Sequence, residues 1–141
     1  MGNFRKLIVW QRAKDLAIYI YKITANQSFE KDRGLQGQMR RASVSIPSNI
    51  AEGDESGFNK LTIRYFKASK GSAAELITQT IIAYAIRFLT INEHNYIVSE
   101  CEEISRMLYS LIEKRASNLK PQTSNLKPQT LNPRPIYHEI H

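Results

Sequence analysis

The chain has 141 residues, of which 42% are hydrophobic and 23% are charged, and its formal net charge is +7 at pH 7. This length and composition fit one globular domain with a buried core. The single cysteine excludes an internal disulfide and a four-cysteine zinc site. The lone cysteine also favours a reducing, cytoplasmic location. No apolar run reaches the ~20 residues that a membrane span needs.

The charge is unevenly distributed along the chain. Residues 1–72 hold 13 Lys and Arg against six Asp and Glu, whereas residues 73–116 hold four against six. A basic N-terminal part and a mildly acidic C-terminal part can attract polyanions, or the oppositely charged face of another copy of the chain. A lysine-rich solvated surface would have the same composition, so the charge alone leaves both interpretations open.

The first predicted helix runs from about Phe4 to Asn26. Its apolar residues recur at spacings of three and four, which is the pattern of one buried helix face. The residues of this stripe are Val9, Ala13, Leu16, Ile20 and Ile23.

The second predicted helix begins near Arg33, with Asp32 as its N-cap. Pro47 falls inside the apolar pattern, and because the pattern resumes in step at Ile50, a kinked but continuous helix is expected. Gly53 is expected to end the helix, since glycine adopts the left-handed conformation of helix ends at no cost. The apolar face comprises Leu35, Met39, Ala42, Ile46 and Ile50.

The third predicted helix is the longest and runs from about Asn59 to Leu89. Gly71 stands among small residues in its middle, where glycine costs about 1 kcal/mol relative to alanine. The sequence therefore predicts a close helix crossing at Gly71. The stripe includes Leu61, Tyr65, Ala68, Ser72, Leu76, Thr80, Ala83 and Ile86.

The fourth predicted helix extends to about Ala116. It starts with a capping box, in which Thr90 reaches forward and Glu93 reaches back. The connections between the four helices are short, so neighbouring helices must be antiparallel. Residues 1–116 are therefore predicted to form an all-α, antiparallel, up-and-down four-helix bundle.

Residues 117–141 form a low-complexity tail. Residues 117–123 (SNLKPQT) are repeated without change as residues 124–130. A proline in each copy excludes a coiled coil, and two copies are too few for a solenoid. A disordered tail without an assigned function is expected.

The sequence gives little indication of enzyme chemistry. It contains no His-x-x-x-His or Glu-x-x-His pair, no glycine-rich phosphate loop and no nucleophile elbow. Cys101 falls on the apolar stripe of the fourth helix, which favours a buried, inert thiol. The protein is expected to be non-enzymatic, with no cofactor and no metal.

Basic residues are the candidate ligand-binding groups. Lys60, Arg64 and Lys67 share one face of the third helix, and Lys70 lies just around from it. Arrays of this kind contact phosphates by charge, with salt-sensitive affinity and little sequence readout. The predicted nucleic-acid-binding set also includes residues of the first two helices: Arg12, Arg40 and Arg41.

Polar residues beside the apolar stripes are a second notable feature: Asn49, Glu52, Glu75 and Gln79. Neither a cleft nor a metal ligand accompanies the two carboxylates. A buried network that fixes helix register, or contacts to another subunit, is the expected role.

Residues 38–53 (QMRRASVSIPSNIAEG) resemble the signature of the bacterial four-helix-bundle proteins encoded in intervening sequences of 23S ribosomal RNA genes. Further matches are Val9–Gln11, Gly71–Ser72, Glu75–Leu76, Gln79, Met107–Leu108 and Leu111–Ile112. The resemblance covers about residues 4 to 114. The turn at residues 54–57 departs from the pattern, in which basic or small residues are common.

The resemblance implies a cytoplasmic bundle that assembles as a ring, a pentamer. The chain is also similar to the accessory variability determinant protein of diversity-generating retroelements, a basic pentameric barrel that binds nucleic acid and a reverse transcriptase. Carried over from that pattern, Arg40 and Arg41 are the positions expected to face RNA or DNA.

Two functions remain open at this point. The first is a homo-oligomeric accessory protein that binds nucleic acid through its basic face, with RNA favoured over DNA. The alternative is a protein-interaction scaffold whose basic face meets an acidic partner, as yet unidentified, or a neighbouring subunit.

Overall fold

The computed structural model describes residues 2–119, and within them the chain forms four α-helices: α1 (Ile8–Ile23), α2 (Arg33–Ser56), α3 (Asn59–Ala85) and α4 (Ile91–Leu119). Short 3-10 turns precede α1 and α2, at Phe4–Lys6 and Gln27–Lys31. This part of the chain contains no strand, and the all-α prediction is confirmed. The predicted tail from residue 120 onward lies outside the described residues.

The four helices pack as a square. α1 packs against α2 and α4, and α3 packs against the same two helices, so α1 and α3 occupy diagonal corners. Gly57 and Phe58 alone join α2 to α3, which forces the two helices to run antiparallel. The predicted up-and-down bundle is confirmed.

Two predicted helix caps are present. The Asp32 carboxylate accepts a hydrogen bond from the Leu35 backbone N–H at 2.9 Å. The Glu93 N–H donates to Thr90 Oγ1 at 3.1 Å, and Glu93 Oε1 accepts from the Thr90 N–H at 2.9 Å. Both caps satisfy amides that the first turn of a helix leaves without partners.

The prediction that Gly53 ends α2 is wrong. α2 continues to Ser56, and Gly57, at φ 73°, supplies the left-handed end. Gly53 is buried, and a Cβ there would lie 3.0 Å from the Phe66 ring and from Tyr65 Cβ. Glycine is needed at this position because α3 approaches the α2 backbone so closely.

The close crossing predicted at Gly71 is also wrong. A Cβ built on Gly71 would meet no atom within 4 Å, and the residue is exposed. A glycine in mid-helix signals a close contact only when the residue faces a neighbour, and Gly71 faces solvent.

Other helix ends differ from the prediction by a few residues. α1 begins at Ile8, because residues Phe4–Lys6 form a 3-10 turn instead of an α-helical one. α3 ends at Ala85, because Arg87 adopts a left-handed conformation, φ 70°, that breaks the helix. Ser117–Leu119, predicted as the start of the tail, continue α4.

Side-chain hydroxyls of α3 bond to the backbone of α2. Ser69 Oγ donates to the Ile46 carbonyl at 2.9 Å, and Thr62 Oγ1 donates to the Gly53 carbonyl at 2.7 Å. Pro47 is buried between these two points and α2 passes through it without interruption, as predicted. Around this seam the apolar stripes of all four helices form a single core.

Candidate nucleic-acid interface

Lys60, Arg64 and Lys67 lie on one exposed face of α3, which we call the basic stripe. Their spacing spreads them over about two turns, ~10 Å along the helix axis. Within residues 2–119 no acidic side chain forms an ion pair with any of the three. Their charges are therefore free to meet an anionic ligand.

The basic stripe begins in the first turn of α3. Phe58 is the N-cap, in an extended conformation, and no side chain accepts a hydrogen bond from the first amides. The first turn also carries no acidic residue. Since a helix N-terminus is itself positive, Lys60 adds to the attraction for anions there instead of stabilising the helix.

The last turn of α2, which carries Asp54 and Glu55 and precedes the stripe along the chain, is tied to α4. Arg115 lies with one guanidinium nitrogen 3.9 Å from the Asp54 carboxylate, whose side chain is only 11% exposed. The other terminal nitrogen donates to Asn59 Oδ1 at 3.2 Å and to Thr62 Oγ1 at 3.3 Å. Asp54 is thus partly neutralised by Arg115 and shielded from solvent.

Lys70 lies outside the basic stripe. It is half-buried on the side of α3 that faces α4, and its Nζ lies 5.3 Å from the centre of the Tyr109 ring. It lines a cleft there with Glu102 and Arg106. The structure therefore separates Lys70 from the three residues with which it was grouped.

Arg12 does not extend the stripe either. Its Nε and one terminal nitrogen donate to the two carboxylate oxygens of Glu100 on α4, at 3.3 and 2.8 Å. This bidentate hydrogen bond raises the pKa of Arg12 above its ordinary value. Because α1 and α3 are diagonal, Arg12 lies on a different side of the bundle from the stripe.

Arg40 and Arg41 lie on the side of the bundle formed by α1 and α2. Arg40 donates to Thr24 Oγ1 at 2.9 Å and to the Tyr21 carbonyl at 3.2 Å, and its guanidinium carbon lies 4.6 Å from the centre of the Tyr21 ring. These contacts hold Arg40 at the negative C-terminal end of α1. Arg41 is exposed and lines the same cleft as Arg40.

The four polar residues singled out in the sequence do not form one buried network. Asn49 Nδ2 donates to the Ser45 carbonyl at 2.9 Å, and the Ser45 hydroxyl receives a hydrogen bond from Ser72 of α3, also at 2.9 Å. Gln79 is buried, and its Oε1 has no partner among the described residues. Two others are exposed on the surface: Glu52 and Glu75.

Two apolar surfaces were missed by the sequence analysis. The first, the α1–α2 groove, is an open cleft of about 670 Å³, and its apolar lining includes Ala17, Ile18, Tyr21, Val44 and Pro47. The second, the α3 ridge, consists of exposed residues near the end of α3: Ile81, Ile82 and Ile86. The available signal was apolar residues that fall off a helical stripe, as Ile18 and Ile82 do. Ile86 was expected on the α3 stripe, but it lies at the C-cap, where the helix ends, and is exposed.

Cys101 is fully buried in α4, and burial raises the pKa of its thiol to about 12. Residues 2–119 contain no group of three or more His, Cys, Asp and Glu side chains arranged to hold a metal ion. None of the helices in this range combines the length and apolar character that crossing a bilayer requires.

The comparisons with known proteins concern the bundle. The family of 23S rRNA-intervening sequence proteins matches residues 5–110, which include most of all four helices. No curated protein matches the chain.

Among solved structures, the chain is similar to a protein of unknown function from the S23 ribosomal protein family of Bacteroides thetaiotaomicron. The sequence identity is 22%, the alignment covers 75% of this chain and 99% of that one, and the TM-score is 0.69. At this identity the likeness supports the fold alone.

Proposed function

We propose a function from one premise: this chain belongs to the 23S rRNA-intervening sequence protein family. The function is that of a non-enzymatic accessory protein, cytoplasmic and homo-oligomeric, that binds nucleic acid, with RNA favoured over DNA. The proposed oligomer is a ring of five subunits, as the family resemblance in the sequence implies. The binding surface is the basic stripe.

One observation carries the nucleic-acid proposal. Lys60, Arg64 and Lys67 project from one exposed helix face, next to a positive helix N-terminus, without carboxylate partners among residues 2–119. Phosphates are the ligands that such a set attracts, and they are bound by charge and position more than by base identity.

The non-enzymatic part rests on what the polar groups contact. Ser45, Asn49 and Ser72 bond to one another and to backbone, so these polar groups are engaged within the bundle. The Cys101 thiol, with its pKa raised to about 12, is protonated at neutral pH. A reduced, buried thiol also agrees with a cytoplasmic location.

The proposal is tested by replacing Lys60, Arg64 and Lys67 together with Gln. Binding to a structured RNA and to a DNA duplex is measured by fluorescence anisotropy between low and moderate salt. Each lost phosphate contact lowers the slope of log affinity against log salt by about 0.7 to 0.9, so the slope should fall by about 2 to 3. Affinity at low salt should fall about 100-fold.

A matched control separates the stripe from net charge. Lys31, Arg33 and Arg106 are exposed on other parts of the bundle and none of them lines the α1–α2 groove, and their replacement with Gln removes the same charge. The control variant should lose less than about fivefold in affinity. Equal losses in the two variants would show that the whole surface binds, and no binding by the wild-type protein would contradict the proposal.

The alternative is a scaffold that binds an acidic protein. Arg40 and Arg41 favour it, because they flank an apolar groove instead of the basic stripe. If the triple Gln variant binds RNA like wild type while Arg41→Glu changes the mass measured by light scattering, the scaffold is the better description.

A further inference from the structure

The α1–α2 groove is an apolar surface with a cationic rim. Ile18, Tyr21 and Val44 are 47%, 45% and 40% exposed, although they are adjacent in space. Lys14 and Lys22 also line the groove. Isolated apolar side chains are common on protein surfaces, but a contiguous concave patch of this kind marks an interaction site.

The α3 ridge has the opposite shape. Ile81, Ile82 and Ile86 are 51%, 48% and 46% exposed on the outside of the last turns of α3. Ile82 and Ile86 are one turn apart, so their side chains form a continuous projection. Two exposed charged residues flank the ridge: Glu75, two turns before Ile82 on the same helix face, and Arg87, directly after Ile86.

We propose that the α3 ridge of one copy of the chain inserts into the α1–α2 groove of a second copy. This inference rests on the homo-oligomer proposed above and names the two surfaces that form it. The ridge brings apolar side chains to an apolar floor. Glu75, which precedes the ridge on the face of Ile82, is opposite in sign to Lys22 on the groove rim.

The geometry of the bundle makes this contact intermolecular. α1 and α3 are diagonal and do not pack against each other, so a chain cannot place its ridge in its own groove. Because the groove and the ridge are different surfaces, the contact is heterologous. Each added copy leaves one groove and one ridge free until a ring closes.

The contact is tested by crosslinking two variants of the full chain that each carry one added cysteine, Val44→Cys and Ile82→Cys, with a short bismaleimide. The native Cys101 stays in place, because it is fully buried. A mixture of the two variants should give a crosslinked dimer, and each variant alone should give none. The double variant should give a ladder of crosslinked species.

The control for proximity is Ala74→Cys, which places a thiol at another exposed position of α3, before the ridge. Mixed with Val44→Cys, it should crosslink at least tenfold less than Ile82→Cys. The mixed crosslinking is repeated with saturating structured RNA, which should leave the yield unchanged.

Four results would overturn the contact. Crosslinking of either single variant to itself would show a symmetric interface, and loss of the mixed crosslink in RNA would show that RNA occupies the groove. A light-scattering mass of several 16.2 kDa chains without the crosslink would remove this contact but leave the oligomer standing. A monomeric mass at tens of micromolar protein would overturn both.

Discussion

The two halves of α3 differ on both their outer and their inner faces. Outward, the N-terminal half carries the basic stripe and the C-terminal half carries the apolar α3 ridge. Inward, Thr62 and Ser69 of the first half donate to carbonyls of α2. In the second half, buried Thr80 Oγ1 and Gln79 Oε1 have no partner among residues 2–119.

The difference shows how one helix can serve two purposes. The first half is joined to α2 by hydrogen bonds of defined direction, so the charged side chains outside it are held in a fixed frame. The second half is held by apolar packing, which has no direction, and further apolar surface on its outside can be covered only by another molecule. We expect the first half to bind ligand and the second half to assemble.

The largest expected effect couples the two halves. Ile82→Lys should weaken RNA binding about 100-fold, although it adds a cation. In an oligomer several basic stripes reach one RNA, and such multivalency raises affinity by 10²–10⁴. A lysine placed in an apolar groove breaks the subunit contact and removes that gain. Anisotropy with an RNA long enough to span several subunits measures the affinity, and light scattering measures the mass.

The control for Ile82→Lys is Ala74→Lys, which adds the same charge at an exposed position of α3 before the ridge. It should bind RNA at least as tightly as wild type and keep its mass. An Ile82→Lys protein that becomes monomeric yet binds RNA like wild type would show that the two halves act independently.

The next effect concerns the inner faces. Thr62→Val removes the hydroxyl that donates to the Gly53 carbonyl at 2.7 Å. The free energy of unfolding should fall by about 1 to 2 kcal/mol, because the Gly53 carbonyl loses Thr62 while it keeps the Ser56 hydroxyl, and Arg115 loses an acceptor. Thr80→Val makes the same chemical change where the hydroxyl has no partner, so stability should stay equal or rise by up to about 1 kcal/mol. Urea denaturation at equal protein concentration measures both.

The Thr62 and Thr80 variants control for each other, since both residues are fully buried in α3. If Thr80→Val destabilises the protein as much as Thr62→Val does, the two halves of α3 are held in the same way and the inner contrast disappears.

Much of the fold could be predicted because it depends on local patterns. Apolar spacing marked the helices, and Asp32 and the Thr90–Glu93 pair marked their starts, since caps involve residues within one turn of each other. The two glycines were misjudged for a physical reason. Gly53 continues the apolar spacing of α2 three residues after Ile50, but glycine is also typical of helix ends, and only the contact with Phe66 shows that it packs inside the helix. Gly71 falls between the stripe positions of α3, and it faces solvent.

The candidate site was less predictable. Helical spacing was enough to place Lys60, Arg64 and Lys67 on one face. Arg12 and Lys70 were grouped with them wrongly, because Glu100 and Tyr109 hold them on other sides of the bundle. Those partners lie on α4, far along the chain, and no local pattern shows which helix a long side chain will reach.

The smallest expected effect defines the edge of the basic stripe. Lys70→Gln should change RNA affinity less than about twofold and leave the salt slope unchanged, whereas Lys67→Gln should lower the slope by about 0.7 to 0.9. The reason is that Lys70 stands over the Tyr109 ring on the α4 side of the helix, while Lys67 is exposed on the stripe. Salt titrations of the two variants in parallel measure the difference. If Lys70→Gln lowers the slope as much as Lys67→Gln does, RNA must wrap around α3 onto α4, and the binding surface is wider than the basic stripe.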